Sequence, residues 1–245
     1  MRSRSAGEAL VLCWAAAACA PRASPVWRQA DAASWPAVRQ ALESERAARP
    51  RAPWSAAVRV AMREPRSGRE IDGRGAVAVA PGEALRMILL GPAGVTLLDA
   101  WVTADRWRVA VPPAEIVRRG ALDEPDDLPV GFLRWSLFRP LEGTLIAGSL
   151  SPQTFVLRDG DAVVEVELAR CRLGELSRTT RRVRGRVEHI EECRAPGPPR
   201  PGEWVRYEDE RTGLRVELTF EAAAPAPPDE RAFRDPDDAA PGADR

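Results

Sequence analysis

The chain has no lysine and no asparagine: all 36 of its basic side chains are arginine, set against 36 carboxylates for a formal net charge of zero over 245 residues. A neutral chain has no overall field with which to gather a polyanion, so no nucleic-acid partner is implied. The arginine runs accompany an excess of alanine and proline and read as drift in composition. Histidine is almost absent, with His189 the single example. A serine triad would have to be built on it, yet there is no G-x-S-x-G elbow, and no glycine-rich phosphate loop occurs either. The acidic run Asp123 to Asp127 has no histidine or cysteine beside it, and no C-x-x-C pair exists, so neither a metal nor another cofactor is expected. No spacing selects a pair of carboxylates for glycan chemistry. An enzyme is therefore the weakest reading, with His189 its only starting point.

Long apolar runs are lacking as well. The longest, Ala9 to Ala18, falls short of the ~20 residues that cross a bilayer. It follows Arg2 and Arg4 and ends in small residues, the three parts of an export signal. Ala16-Ala17-Ala18-Cys19 resembles a bacterial lipobox, in which the cysteine is acylated and becomes the first residue; an ordinary A-x-A cleavage site is the alternative. Pro21 disfavours cleavage after Ala20, and Ala20 in place of aspartate suggests sorting to the outer membrane by analogy with enterobacterial lipoproteins. Residues 1–18 are then the signal and 19–33 a tether. Export to an oxidising compartment leaves Cys171 and Cys193 as either a disulfide or two separate small core residues.

What remains is enough to bury a core: 44% hydrophobic and 29% charged residues. A helix is expected from Ser34, with Pro36 in its first turn, ending before Pro50. Period-two alternation follows at Val58, Val60 and Met62, at Val77 and Val79, and at Trp107, Val109 and Val111. Between the last two sets lies the stretch Ala84 to Val102, two apolar strands (Leu85 to Leu90, Val95 to Val102) joined by Gly91-Pro92-Ala93-Gly94. Both of its faces are bulky, so both need cover.

Residues 112–142 interrupt the strands. A short helix is expected at Pro113 to Val117, then a bulky one carrying Val130, Leu133, Trp135 and Phe138. Strands resume at Thr154 to Leu157, and Asp159-Gly160 marks a hairpin. Further strands are read at Val163 to Leu168, as one arginine-rich strand from Arg182 to Ile190, at Trp204 to Glu208, and at Leu214 to Phe220 after Thr212-Gly213. The total is about ten. Residues 223–245 are expected to be mostly disordered, with Phe233 able to dock back.

Three pieces, in order, resemble the LolA/LolB family of periplasmic lipoprotein carriers and receptors over roughly residues 34–222. They are the glycine-bracketed strand Gly73 to Val79 followed by Leu85 to Gly94, the segment Asp127-Leu128-Pro129-Val130 with Phe132 to Trp135, and the lipobox, the last two being traits of the LolB-like receptor branch. The resemblance implies a mainly β fold with α: an unclosed antiparallel half-barrel covered by an N-terminal helix and a helical lid insertion. It implies a monomer that holds acyl chains of phospholipid or lipoprotein, without catalysis, at the outer membrane through its lipid anchor. Leu85, Met87, Leu89, Leu97, Trp101, Trp107 and Val109 would line the hollow, with Val130, Leu133, Trp135 and Phe138 as lid. A dry, solid core is the alternative for the same stripes. In the receptor branch the hairpin turn exposes a leucine that helps to deliver lipoproteins; here Ala93 stands there, with Val95 two residues on. A regulatory or scaffold lipoprotein holding a polypeptide in the same half-barrel is the second functional reading.

Overall fold

Thirteen antiparallel strands form one open sheet in the computed structural model. Residues 34–237 are described, apart from 64, 66–67, 69, 122–129, 170, 172–175, 196 and 225–226. The first six strands are β1 (Trp54–Arg63), β2 (Glu70–Ala80), β3 (Ala84–Leu90), β4 (Thr96–Thr103), β5 (Arg106–Val111) and β6 (Ile116–Ala121). The other seven are β7 (Thr144–Leu150), β8 (Gln153–Asp159), β9 (Ala162–Glu167), β10 (Ser177–Val183), β11 (Arg186–Cys193), β12 (Trp204–Asp209) and β13 (Arg215–Ala223). Each half is a meander of sequential neighbours, and the two are joined where β1 pairs with β13. That leaves β6 and β7 as the two margins of the sheet, and the insertion between them runs from one margin to the other. The architecture is an unclosed half-barrel.

Alternation sorts the two faces. On the concave side Trp54, Ala56, Val58 and Val60 of β1 stand beside Val77 and Val79 of β2 and Val216, Leu218 and Phe220 of β13, all buried in one apolar cluster. On the convex side arginines meet carboxylates across strands: Arg59 with Asp72, Arg206 with Glu217 at 2.8 Å and Arg215 with Glu208 at 3.0 Å. The arginine-rich alternation is thus largely the wetted side of a sheet, where solvent screening leaves such pairs little to contribute to stability.

Helix α1 (Trp35–Ala47) starts as expected, with Pro36 in its first turn and the Ser34 carbonyl accepting from the Val38 amide at 3.0 Å. Its buried Val38 and Leu42 pack on the concave side near β7. Gly148 makes that approach possible, because a Cβ there would lie 2.7 Å from Val38 Cγ1. The lid is α2 (Val130–Leu133), which widens into a π-helical turn over Arg134–Phe138.

Three expectations are corrected. Residues 113–117 are not a helix: Pro112–Ala114 make one 3-10 turn, Glu115 adopts a left-handed φ of 54°, and the chain enters β6. Two prolines preset that turn, and β-branched Ile116 and Val117 favour the strand that follows. The stretch Arg182 to Ile190 is a hairpin, reversing at Arg184-Gly185, both with positive φ. β7 was not foreseen, because a register shift between Leu145 and Ala147 breaks its alternation. Phe233 docks back as expected: residues 229–237 lie against the convex face, with a 3-10 turn at Glu230–Phe233. The Cys171–Cys193 disulfide is present, Cα to Cα 5.0 Å, tying the segment before β10 to the end of β11.

Candidate functional site

The concave face beneath the lid is where the sheet gathers its bulkiest apolar side chains. Leu85, Met87 and Leu89 of β3 lie level with Val102, Ala100 and Leu98 of β4, and the row continues to Trp107 and Val109 on β5. All but Leu98 are buried, and Leu98 packs against them in part. Gly120 on β6 leaves room for the Trp107 ring, since a Cβ there would come within 2.8 Å of it. Phe132, Leu133, Trp135, Leu137 and Phe138 descend from the lid into the same cluster. Phe132 reaches Tyr207 on β12, ring centroids 5.5 Å apart. The trough is therefore filled by the protein's own lid.

Two of the expected lining residues lie elsewhere. Trp101 sits opposite Arg86 and Arg108, on the convex face with the Arg86–Asp99 ion pair. It is buried there by the C-terminal segment, and its indole Nε1–H donates to the Phe233 carbonyl at 2.9 Å. Leu97 is the extra residue of a β-bulge: Leu89 faces Leu98 while Leu90 faces Thr96, so Leu97 drops out of the ladder and lies against Gly91. Leu98 and Val102 take the places expected of Leu97 and Trp101. The signal that could have found them is the strand alternation itself, read forward from Leu98 rather than from the larger side chains.

The lid's hold is mainly apolar. Ser136 Oγ–H turns back on the Phe132 carbonyl at 2.7 Å, inside the lid itself. Arg134 joins Glu142 at 3.0 Å and Asp159 at 3.5 Å. The buried Trp135 Nε1–H has no acceptor among the described residues, which costs the closed arrangement ~1–3 kcal/mol. Of Val130, only its place at the start of α2 is described.

At the far end of the lid a cavity of about 470 Å³ opens between α1, the β2–β3 turn and the lid's exit, lined by Arg46, Arg49, Trp54, Phe138, Arg139 and Arg194 among others. None of the strand residues named for the hollow borders it; only Phe138 of the expected lid does. The hollow expected for hydrocarbon lies over the strands under the lid; this separate space is lined largely by arginine.

The hairpin turn is a 3-10 turn over Pro92–Gly94, with Ala93 at φ 60°. Val95 is 54% exposed and Leu90, which the sequence did not single out, 42%. A polar group occupies the concave corner at β10–β12: Glu188 accepts from Tyr207 Oη–H at 2.9 Å and pairs with Arg181 at 2.6 Å, while Arg186 pairs with Asp209 at 2.9 Å. Burial first, then the neighbouring Glu188, pushes the Tyr207 hydroxyl well above its ordinary value. His189 stands on the convex face, its Nε2 2.8 Å from Glu210 Oε1 and its Nδ1 3.3 Å from Thr180 Oγ. It lines no part of the cavity. Among the described residues no group of three or more His, Cys, Asp or Glu side chains is placed to hold a metal, and no helix is long and apolar enough to cross a membrane. Cys19 lies outside the described residues.

No protein-family model matches the sequence, and no curated protein does. Solved structures do resemble the fold. A LolA superfamily protein from Nitrosomonas europaea aligns at a TM-score of 0.54 and 14% identity, covering 81% of this chain and 97% of that one. A DUF1329 family protein from Desulfovibrio piger aligns at 0.51 and 11% identity, covering 81% and 96%. At these identities the likeness speaks for architecture alone: the chain has a LolA-like fold.

Proposed function

We propose that this protein is a periplasm-facing lipoprotein of the LolB-like kind, held at the outer membrane by an acylated Cys19, that binds acyl chains of lipid or lipoprotein in the trough of its half-barrel. The carrying observation is the lid: five large apolar side chains, from Phe132 to Phe138, fill a concave surface built by Leu85, Met87, Leu89, Leu98, Val102, Trp107 and Val109. Displacing them would bare a hydrocarbon-sized trough, and the unmet Trp135 indole N–H makes that displacement cheaper. Exposed Val95 and Leu90 at the β3–β4 turn supply apolar contact for a membrane surface. They stand in for the leucine of the receptor branch, where Ala93 offers only a methyl group.

The trough is tested with chain beginning at residue 20 and a fluorescent fatty-acid probe. Saturable binding is expected, weakened at least tenfold by Leu89→Glu in a variant whose circular dichroism is unchanged; equal affinity in the two proteins rejects the site. The anchor is tested by intact mass of membrane-purified protein. A species starting at Cys19 with acyl mass added is expected, and an unmodified chain cut at another residue refutes it.

A further inference from the structure

The cavity at the lid's exit carries four arginines, Arg46, Arg49, Arg139 and Arg194, against one lining carboxylate, Glu142. Its volume, about 470 Å³, falls within the ~300–1,000 Å³ usual for small-ligand sites. Two of the guanidinium groups are occupied in holding the walls. Arg46 donates to the Leu141 carbonyl at 3.0 and 2.9 Å, to the Gly143 carbonyl at 2.7 Å and to Glu43 at 2.8 Å. Arg139 pairs with Glu142 and donates to the Gly82 carbonyl at 3.1 Å, and Glu142 is shared with Arg134.

The other two differ. The Arg194 side chain is only 4% exposed and its guanidinium lies over the Phe220 ring, 5.7 Å from the centroid. Its Nε and Nη1 have no hydrogen-bond acceptor among the described residues; Arg49 Nε has none either, nor has Arg139 Nε, although the Nη groups of Arg139 are engaged. Glu192 Oε2, itself without a hydrogen bond, makes an ion pair with Arg194 Nε at 3.6 Å, longer than a hydrogen bond, and Glu203 is engaged by the amides of Ala195 and Arg200. Burial pulls the Arg194 pKa below its ordinary value; Glu192 opposes this and the positive charge of Arg49 adds to it. Arginine does not give up its proton in proteins, so unmet donors in a buried guanidinium are relieved by an acceptor and not by neutralisation.

We propose that this cavity binds a phosphate-class anion, with Arg194 and Arg49 as its charged donors. The unmet N–H donors of two guanidinium groups suit the oxygens of a tetrahedral oxyanion. The anion is either free phosphate or the phosphodiester of a phospholipid. The second source rests on the trough reading, since Leu137 and Phe138 belong both to the lid packed in the trough and to the cavity wall.

Calorimetric titration of the full chain with inorganic phosphate, dihexanoyl-phosphatidylglycerol and phosphate-free dihexanoylglycerol tests this. One saturable phosphate site is expected, weakened at least tenfold by Arg194→Gln and by Arg49→Gln. Phosphatidylglycerol binding tenfold tighter than phosphate assigns the site to a lipid headgroup; equal affinities assign it to the free anion. Absence of saturable binding of phosphate and of phosphatidylglycerol, or affinities unchanged in Arg49→Gln, overturns the proposal, and that variant decides if Arg194→Gln fails to fold. Fatty-acid probe binding reads the trough separately. Its survival alongside lost phosphate binding sinks only the anion site, and the reverse sinks only the trough.

Discussion

Gly75 shows how much of this sheet depends on a missing atom. It lies on β2 opposite Leu89, and a Cβ there would come 1.9 Å from the Ile88 carbonyl oxygen, a backbone atom that cannot swing aside. Gly75→Ala must therefore push β2 away from β3 beneath the lid. We expect a loss of at least ~2 kcal/mol, read as a melting temperature lower by about 4–8 °C in a domain of this size; an unchanged melting temperature would contradict the strand pairing. The same scale shows what the sequence could and could not say about the trough. Leu85, Met87 and Leu89 were legible because they keep strict alternation on one unbroken strand. Leu97 and Trp101 were misplaced because bulk alone does not tell one face from the other when both are covered. The C-terminal segment buries the convex side of β4, and nothing in the sequence of β4 announces a cover that arrives 132 residues later in the chain.

Elements were legible wherever period and punctuation agreed. α1 has a proline at its start and a buried Val38/Leu42 stripe, and β8–β9 turns just beyond Asp159, with Gly160 at positive φ. The strands that were missed share a physical cause. β10 carries Arg181 and Ser177 on its concave side, where Arg181 meets Glu188 and Ser177 bonds the backbone of Ala169, so no apolar alternation marks it. Its reversal into β11 places Arg184 at a left-handed φ, a position asparagine would advertise and this asparagine-free chain fills with arginine. β6, with its first four residues exposed, shows no buried stripe, and its opening Ile116 and Val117 read instead as the end of a short helix. The lid was foreseen as helical and bulky all round, and its burial on several sides explains why: it packs onto β2 and β3 and reaches Tyr207 on β12.

At the scale of the whole molecule the C-terminal segment straps the convex face. Asp237 takes hydrogen bonds from Arg108 at 3.1 Å and Arg119 at 2.8 Å, Asp235 lies 3.5 Å from Arg106, and Phe233 receives the Trp101 indole. Desolvation alone would raise the Asp237 pKa; the hydrogen bond from Arg119 and the charges of Arg108 and Arg119 outweigh it and hold the carboxyl below its ordinary value. A carboxyl lowered on folding stabilises the strap at pH above the free value of ~3.9 and loses that contribution as pH falls through the lower bound value. Hydrogen-exchange protection factors across residues 229–237 are therefore expected to fall as the solution is acidified below about pH 4. Asp237→Asn should reproduce that loss at neutral pH, and protection that ignores both changes would show that the strap is held by Trp101 and Phe233 alone.

The pairing of β1 with β13 has a consequence for how this molecule comes into being. The first of the described strands has one side waiting for Arg215–Ala223, the last of them. Until Arg215–Ala223 has emerged, each wing of the sheet can zip up locally, but the seam between them stays bare along Ala56 to Arg63. Closure of the sheet thereby waits until β13 has been made, and the slow, long-range pairing at that seam is the step at which an incomplete chain is most exposed to the wrong neighbour.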